Sequence, residues 1–147
     1  MRVLVIDGQG GQLGSQLIKE IRAAYPHMEL TAVGTNASAT AAMLKAGAAR
    51  GATGENAVMV NCRKADVIIG PIGIVIADSL LGEVTAEMAV AVGRADAERI
   101  LISLNRCENI VAGVPDLPMG KLIRDAVERI GELEKNCRGP IEKGVCL

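Results

Sequence analysis

The sequence holds no Phe, no Trp, one Tyr and one His in 147 residues. With a single tyrosine there is no run of aromatic rings on which single-stranded bases could stack. With 16 Lys and Arg against 17 Asp and Glu, there is no basic excess to neutralise a phosphate backbone. Nucleic acid is therefore not an expected partner. The lone His27 leaves no Ser–His–acid set to assemble. The four cysteines, at 62, 107, 137 and 146, form no C-x-x-C pair and, with a single His, no metal-ligand spacing, so no metal site is expected. Cys62 and Cys107 read as small buried hydrophobes, and Cys137 and Cys146 as free thiols in a reducing cytosol. Long hydrophobic runs are missing as well. The longest, Val67 to Leu81, is broken by Gly70, Pro71, Gly73 and Asp78 and is too short to span a bilayer. The first apolar run is stopped by Asp7, which argues against a signal peptide. The expected location is cytoplasmic, with no membrane partner.

What is present is concentrated at the start. Val3 to Ile6 is a continuous apolar run, the pattern of a strand buried on both faces of a parallel sheet. It ends in Asp7, and Gly8-Gln9-Gly10-Gly11-Gln12-Leu13-Gly14 follows. Glycines at 8, 11 and 14 permit a tight turn and close backbone approach. A helix starting near Gly11 would aim its unpaired N–H groups at the loop, and such an end attracts phosphate or carboxylate. The alternative is an architectural turn that binds nothing.

Taken in order, the chain alternates strands and helices. A helix over 12–24 buries Leu13, Leu17, Ile18 and Ile21, and a strand over 29–33 closes at Gly34-Thr35-Asn36. A small-residue helix spans 38–46, with Ser38 near its start and Gly47 as its stop. A short third strand lies around 50–52. A helix capped by Thr53 then runs to about Lys64, although Ala57-Val58-Met59-Val60 would also suit a strand. A buried strand over 66–69 ends at Gly70-Pro71. Helical pieces follow at 73–81 and at 86–92, the second capped by Thr85. Strands over 100–104 and 110–114 and a helix to about Lys135 complete the domain, 1–135, with an irregular tail over 136–147. The expected fold is α/β: a single-domain, doubly wound, Rossmann-like arrangement of five to six mostly parallel strands with helices on both faces. An apolar content of 50% in so short a chain also predicts a homo-oligomer, most simply a twofold dimer.

In such sheets ligands bind outside the carboxyl ends of the strands. The residues at those ends are Asp7 and the loop from Gly8 to Gly14 (Gly8, Gln9, Gly10, Gly11, Gln12, Leu13, Gly14), then Thr35, Asn36 and Ser38, then Gly70 and Pro71, then Asn105 and Arg106. Loop amides from Gln9 to Leu13 would hold a phosphate, Arg106 would add a charged fork, and Thr35 and Asn36 would bond a sugar hydroxyl. Each also has a plainer role: Asn36 and Asn105 completing turns, Ser38 capping a helix, Arg106 pairing with Glu108, Asp7 capping the glycine-turn amides.

The spacing Gly8-x-x-Gly11-x-x-Gly14 resembles the fingerprint of extended short-chain dehydrogenases, in which a nucleotide pyrophosphate lies over the loop. The likeness covers about fifteen residues and is a short-motif match. The residues beyond it depart from that family. No acid stands at Gly34-Thr35-Asn36 to bond an NAD ribose, and no arginine follows to accept a 2′-phosphate. The family's Tyr-x-x-x-Lys pair is missing, because Glu29 lies four residues after Tyr25, the single tyrosine. NAD and NADP are not supported as cofactors.

A second resemblance covers most of the chain. Ile6-Asp7-Gly8-Gln9-Gly10-Gly11, Gly34-Thr35-Asn36, Met43 to Ala48, Gly51 to Ala57, Gly70 to Ser79 and Asn105-Arg106-Cys107 are similar to a family of small bacterial proteins labelled as a domain of unknown function. That resemblance implies a stand-alone domain and no reaction. Three functions remain open. The first is a nucleotide- or phosphometabolite-binding module, a sensor or regulatory subunit, whose partner is a small phosphorylated molecule. The second is a small enzyme acting on a phosphorylated or carboxylated substrate, with Asp7, Glu55 or Asp78 as acid or base. The third is an oligomeric scaffold with no ligand.

Overall fold

The computed structural model describes residues 1–104 and 109–137. Five strands form one parallel sheet: β1 (Arg2–Asp7), β2 (Glu29–Gly34), β3 (Arg50–Thr53), β4 (Val67–Pro71) and β5 (Glu98–Ile102). Their order across the sheet is β3-β2-β1-β4-β5. The chain winds outward from β1 in one direction, then returns to lay β4 on its other side, so the winding reverses between β1 and β4. The helices are α1 (Gln12–Ala24), α2 (Ala37–Lys45), α3 (Glu55–Cys62), α4 (Ala86–Arg94) and α5 (Met119–Cys137), with a four-residue 3-10 turn over Ile72–Val75.

Strand alternation divides the core. Val3, Val5, Leu30, Ala32, Val67 and Ile69 face α1, α2 and α5, where Leu17, Ile18, Ile21, Met43 and Ile130 are buried against them. Leu4, Ile6, Val33 and Ile68 face the other way, onto Val58 and Cys62 of α3 and Met88 and Val92 of α4. A sheet buried on both sides explains why β1 and β4 read as unbroken apolar runs. Burial raises the Cys62 thiol pKa to about 11, so this cysteine behaves as a hydrophobe. No helix among the described residues is long and apolar enough to cross a membrane.

Several boundaries differ from expectation, each for a local reason. α2 is capped by Asn36, whose side-chain oxygen accepts from the Ala39 amide at 2.9 Å; Ser38 sits exposed in the first turn. α3 starts after Gly54 rather than on a Thr53 cap, because the Thr53 hydroxyl bonds Thr40 Oγ1 at 2.7 Å, and α3 ends at Cys62. Residues 57–60 are helical. β4 runs on through Gly70 and Pro71, with Pro71 at the last strand position, where a missing N–H is tolerated. β5 lies two residues earlier than expected. The helix expected over 73–81 shrinks to the 3-10 turn, and a strap over 76–85 follows with Asp78, Leu80 and Leu81 at positive φ. Residues 110–114 form no strand; Ile110 is 98% exposed there, and among the described residues no strand follows β5.

Candidate functional site

The carboxyl ends of β1 and β2 meet the start of α1 in one corner of the sheet. Asp7 closes the turn. It is 6% exposed, and its two carboxylate oxygens accept from the Gly8 amide at 2.8 Å and the Gly14 amide at 2.7 Å. Burial drives its pKa up, the two amides pull it down, and the nearby Glu83 charge pushes it up again; the net shift is upward. Gly11 takes a left-handed φ of 69°, and a Cβ there would lie 2.8 Å from the Ala39 backbone of α2. A Cβ at Gly14 would press on Asp7 and Met43, and one at Gly8 would meet Glu83, Thr35 and Leu80. Packing within the chain thus accounts for all three evenly spaced glycines. A Cβ at Gly10 would face open space.

The corner also holds an oxyanion. Glu83, from the strap, places one carboxylate oxygen where three donors converge: the Gln9 amide at 2.8 Å, the Thr35 hydroxyl at 2.5 Å and the Asn36 side-chain amide at 3.1 Å. Asn36 is itself held in place. Its Nδ2 donates to the Gln9 carbonyl at 2.9 Å while its Oδ1 caps α2, and the Thr35 amide donates to the Asp7 carbonyl at 3.0 Å. Burial raises the Glu83 pKa, and the three donors outweigh it, leaving the carboxyl below its ordinary value. Among the described residues no Lys or Arg hydrogen-bonds into this corner, so the carboxylate is held by dipoles rather than by an ion pair. Gly11 N–H is taken by the Gly8 carbonyl at 2.9 Å.

Of the residues singled out from sequence, Asp7, the 8–14 loop, Thr35 and Asn36 come together here. Gly70 and Pro71 are buried in β4, with Gly70 pressed on the Ile6 carbonyl, and Ser38 stays outside the corner, exposed on α2. Asn105 and Arg106, with the Glu108 pairing, lie outside the described residues, as do Cys107 and Cys146. The acids considered for catalysis have other placements. Asp7 holds the turn, Glu55 accepts from the Thr85 hydroxyl at 2.6 Å, and Asp78 is exposed in the strap. Among the described residues no group of three or more His, Cys, Asp or Glu could hold a metal. Glu83 was not anticipated. It lies 74 residues from Gln9, and in sequence it reads as one more acid before the Thr85 cap.

Fold and corner together define a doubly wound α/β domain whose first glycine turn carries an oxyanion seat filled from within. The chain belongs to the DUF3842 family, a domain of unknown function, whose model matches residues 2–135. Comparison with curated proteins gives no match. Among solved structures the chain is similar to a dodecameric FMN-dependent UbiX-like decarboxylase from Escherichia coli O157:H7, with 18% identity and a TM-score of 0.43 over 89% of this chain and 76% of that one.

Proposed function

We propose that the protein is a binding module for a nucleotide or another small phosphorylated molecule, acting as a sensor or regulatory subunit. One observation carries this reading: three donors from two strand ends converge on a single point and hold an oxyanion there. Donors spent on an oxygen of this charge can be spent on a phosphoryl oxygen of the same size. The Gln9–Leu13 segment sits beside that point at the positive end of α1, where anions are favoured. Thermal unfolding with millimolar AMP, ADP or ATP is the test. A ligand at a hundredfold excess over its Kd contributes about 2.7 kcal/mol, a rise of about 9 °C in a domain of this size. If no phosphate-bearing compound moves the midpoint, the reading fails.

A filled corner also favours a second reading, an oligomeric scaffold without ligand. Both readings include a homo-oligomer. A groove of about 600 Å³ between α3 and α4 is lined by Met59, Val90 and Ala91 together with Arg63, Arg94 and Glu87. Both charge signs among its lining residues suit a second copy related by a twofold axis. Sedimentation velocity is expected to give a dimer, and Val90→Asp a monomer; a monomeric parent chain overturns this assignment and counts against the scaffold. The free thiols Cys62 and Cys137 accord with a cytoplasmic location.

A further inference from the structure

The strap over 76–85 crosses the carboxyl end of the sheet from the 3-10 turn to the Thr85 cap of α4. Its backbone sits in the left-handed region at Asp78, Leu80, Leu81 and Gly82, with φ of 63°, 54°, 56° and 85°. L-residues avoid that region, and a run of them persists only where other contacts impose it. Internal bonds shape the strap: the Asp78 amide donates to the Val84 carbonyl at 2.7 Å, and the Ser79 hydroxyl donates to the Gly73 carbonyl. Two side chains fasten it to the glycine turn. Leu80 lies so close over Gly8 that a Cβ there would be 2.9 Å from its Cδ1, and Glu83 fills the three-donor seat. Between them Leu81 is 95% exposed and contributes no anchor.

We propose that this strap is an autoinhibitory device, in which Glu83 is a built-in competitor for the seat and a phosphate-bearing ligand enters by displacing Glu83 and Leu80 together. The proposal rests on the binding-module reading. The Gln9 amide, Thr35 hydroxyl and Asn36 amide cannot serve two oxyanions at once. A phosphate lying over Gly8 would collide with Leu80 and face the Glu83 charge, with Asp7 adding a second negative group behind the turn. Closure and binding are therefore mutually exclusive, and the apparent affinity is scaled down by the fraction of molecules with the strap open. The strained backbone of the strap favours release once the two anchors go.

The full chain and its Glu83→Ala variant are titrated with ADP by calorimetry, and exchange of the 78–84 amides is followed by mass spectrometry. Removing a competitor that fills the seat nine-tenths of the time tightens apparent binding by about tenfold. The expected result is that gain in the variant, faster strap exchange in the unliganded variant, and faster strap exchange in the parent when ADP is added. Equal or weaker ADP binding by the variant, with the parent still binding, overturns the strap and leaves the binding module standing; weaker binding would mark Glu83 as a ligand contact, such as an acceptor for a sugar hydroxyl. If neither protein binds ADP while the variant's strap still exchanges faster, the strap has no ligand to compete with and the proposal falls.

Discussion

Gly70→Ala is expected to lower the thermal midpoint by about 10 °C, the equivalent of about 3 kcal/mol of overpacking in a domain of this length. Gly70 lies in β4 beside β1, with Ile69 in register with Val5. A Cβ at this position would be driven into the Ile6 carbonyl oxygen and would crowd the Ile74 side chain. Ile6 is backbone in a central strand and cannot rotate away, so β1 and β4 must splay and the pairing that holds the winding reversal together weakens. Gly93→Ala is the matched control. Gly93 is in α4 with open space where a Cβ would stand, so alanine there is expected to stabilise by about 0.5–1 kcal/mol through helix propensity and a less flexible unfolded chain. A Gly70→Ala protein that melts with the parent would show that β1 and β4 are not packed this closely.

Asp7→Ala is expected to cost about 3 kcal/mol, because two buried amides, Gly8 and Gly14, lose their acceptor together. Relief of repulsion from Glu83 offsets part of that loss. Asp7→Asn keeps one acceptor oxygen and turns an NH2 toward the second amide, so it is expected to fall between alanine and the parent. The pH dependence separates charge from geometry. The folded-state pKa of Asp7 is raised, so the native state holds this proton more tightly than the unfolded chain. Its contribution is full below the ordinary aspartate value and is lost as pH rises through the raised value. Glu83 runs the other way: its pKa is lowered, so its contribution is present above the ordinary glutamate value and lost as pH falls through the lowered one. Chemical denaturation across the acid range is expected to show the Asp7→Asn protein without the loss on the alkaline side of the ordinary aspartate value. An unchanged profile would mean that the Asp7 carboxyl is not buried as described.

Signals that act over a few residues were legible in the sequence. The Val3–Ile6 run, the acid after it and the periodic stripe of α1 are local patterns, and α1 spans 12–24 as its periodicity requires. Thr85 caps α4 through the Met88 amide at 3.2 Å, as a threonine before an amphipathic segment should. Failures came where an apolar residue's partner was not its neighbour. Between 72 and 85, Ile74 and Val84 enter the core while Leu81 stays in water, and no helical period describes that split. Ile110 to Val114 has the composition of a strand, yet among the described residues no strand follows β5 and most of the segment is exposed. The donor side of the candidate site was visible, because Asp7 ends β1 and the glycine turn, Thr35 and Asn36 follow strands. The residue that defines its chemistry, Glu83, was not, since nothing around Leu81-Gly82-Glu83-Val84 signals a contact with Gln9. The glycine spacing matches a ligand-binding motif, whereas Gly8, Gly11 and Gly14 are required by neighbours within the chain.

An oxyanion seat at the Gln9 amide is tested directly by a site-resolved titration. In amide spectra of the isotope-labelled chain, added ADP is expected to shift the Gln9 and Gly10 amides and the Asn36 side-chain NH2 in a saturable way, with strap amides following and amides along the α3–α4 groove unmoved. Saturable shifts confined to that groove, or a Gln9 amide that stays in place at ADP concentrations where binding is otherwise detected, would contradict it.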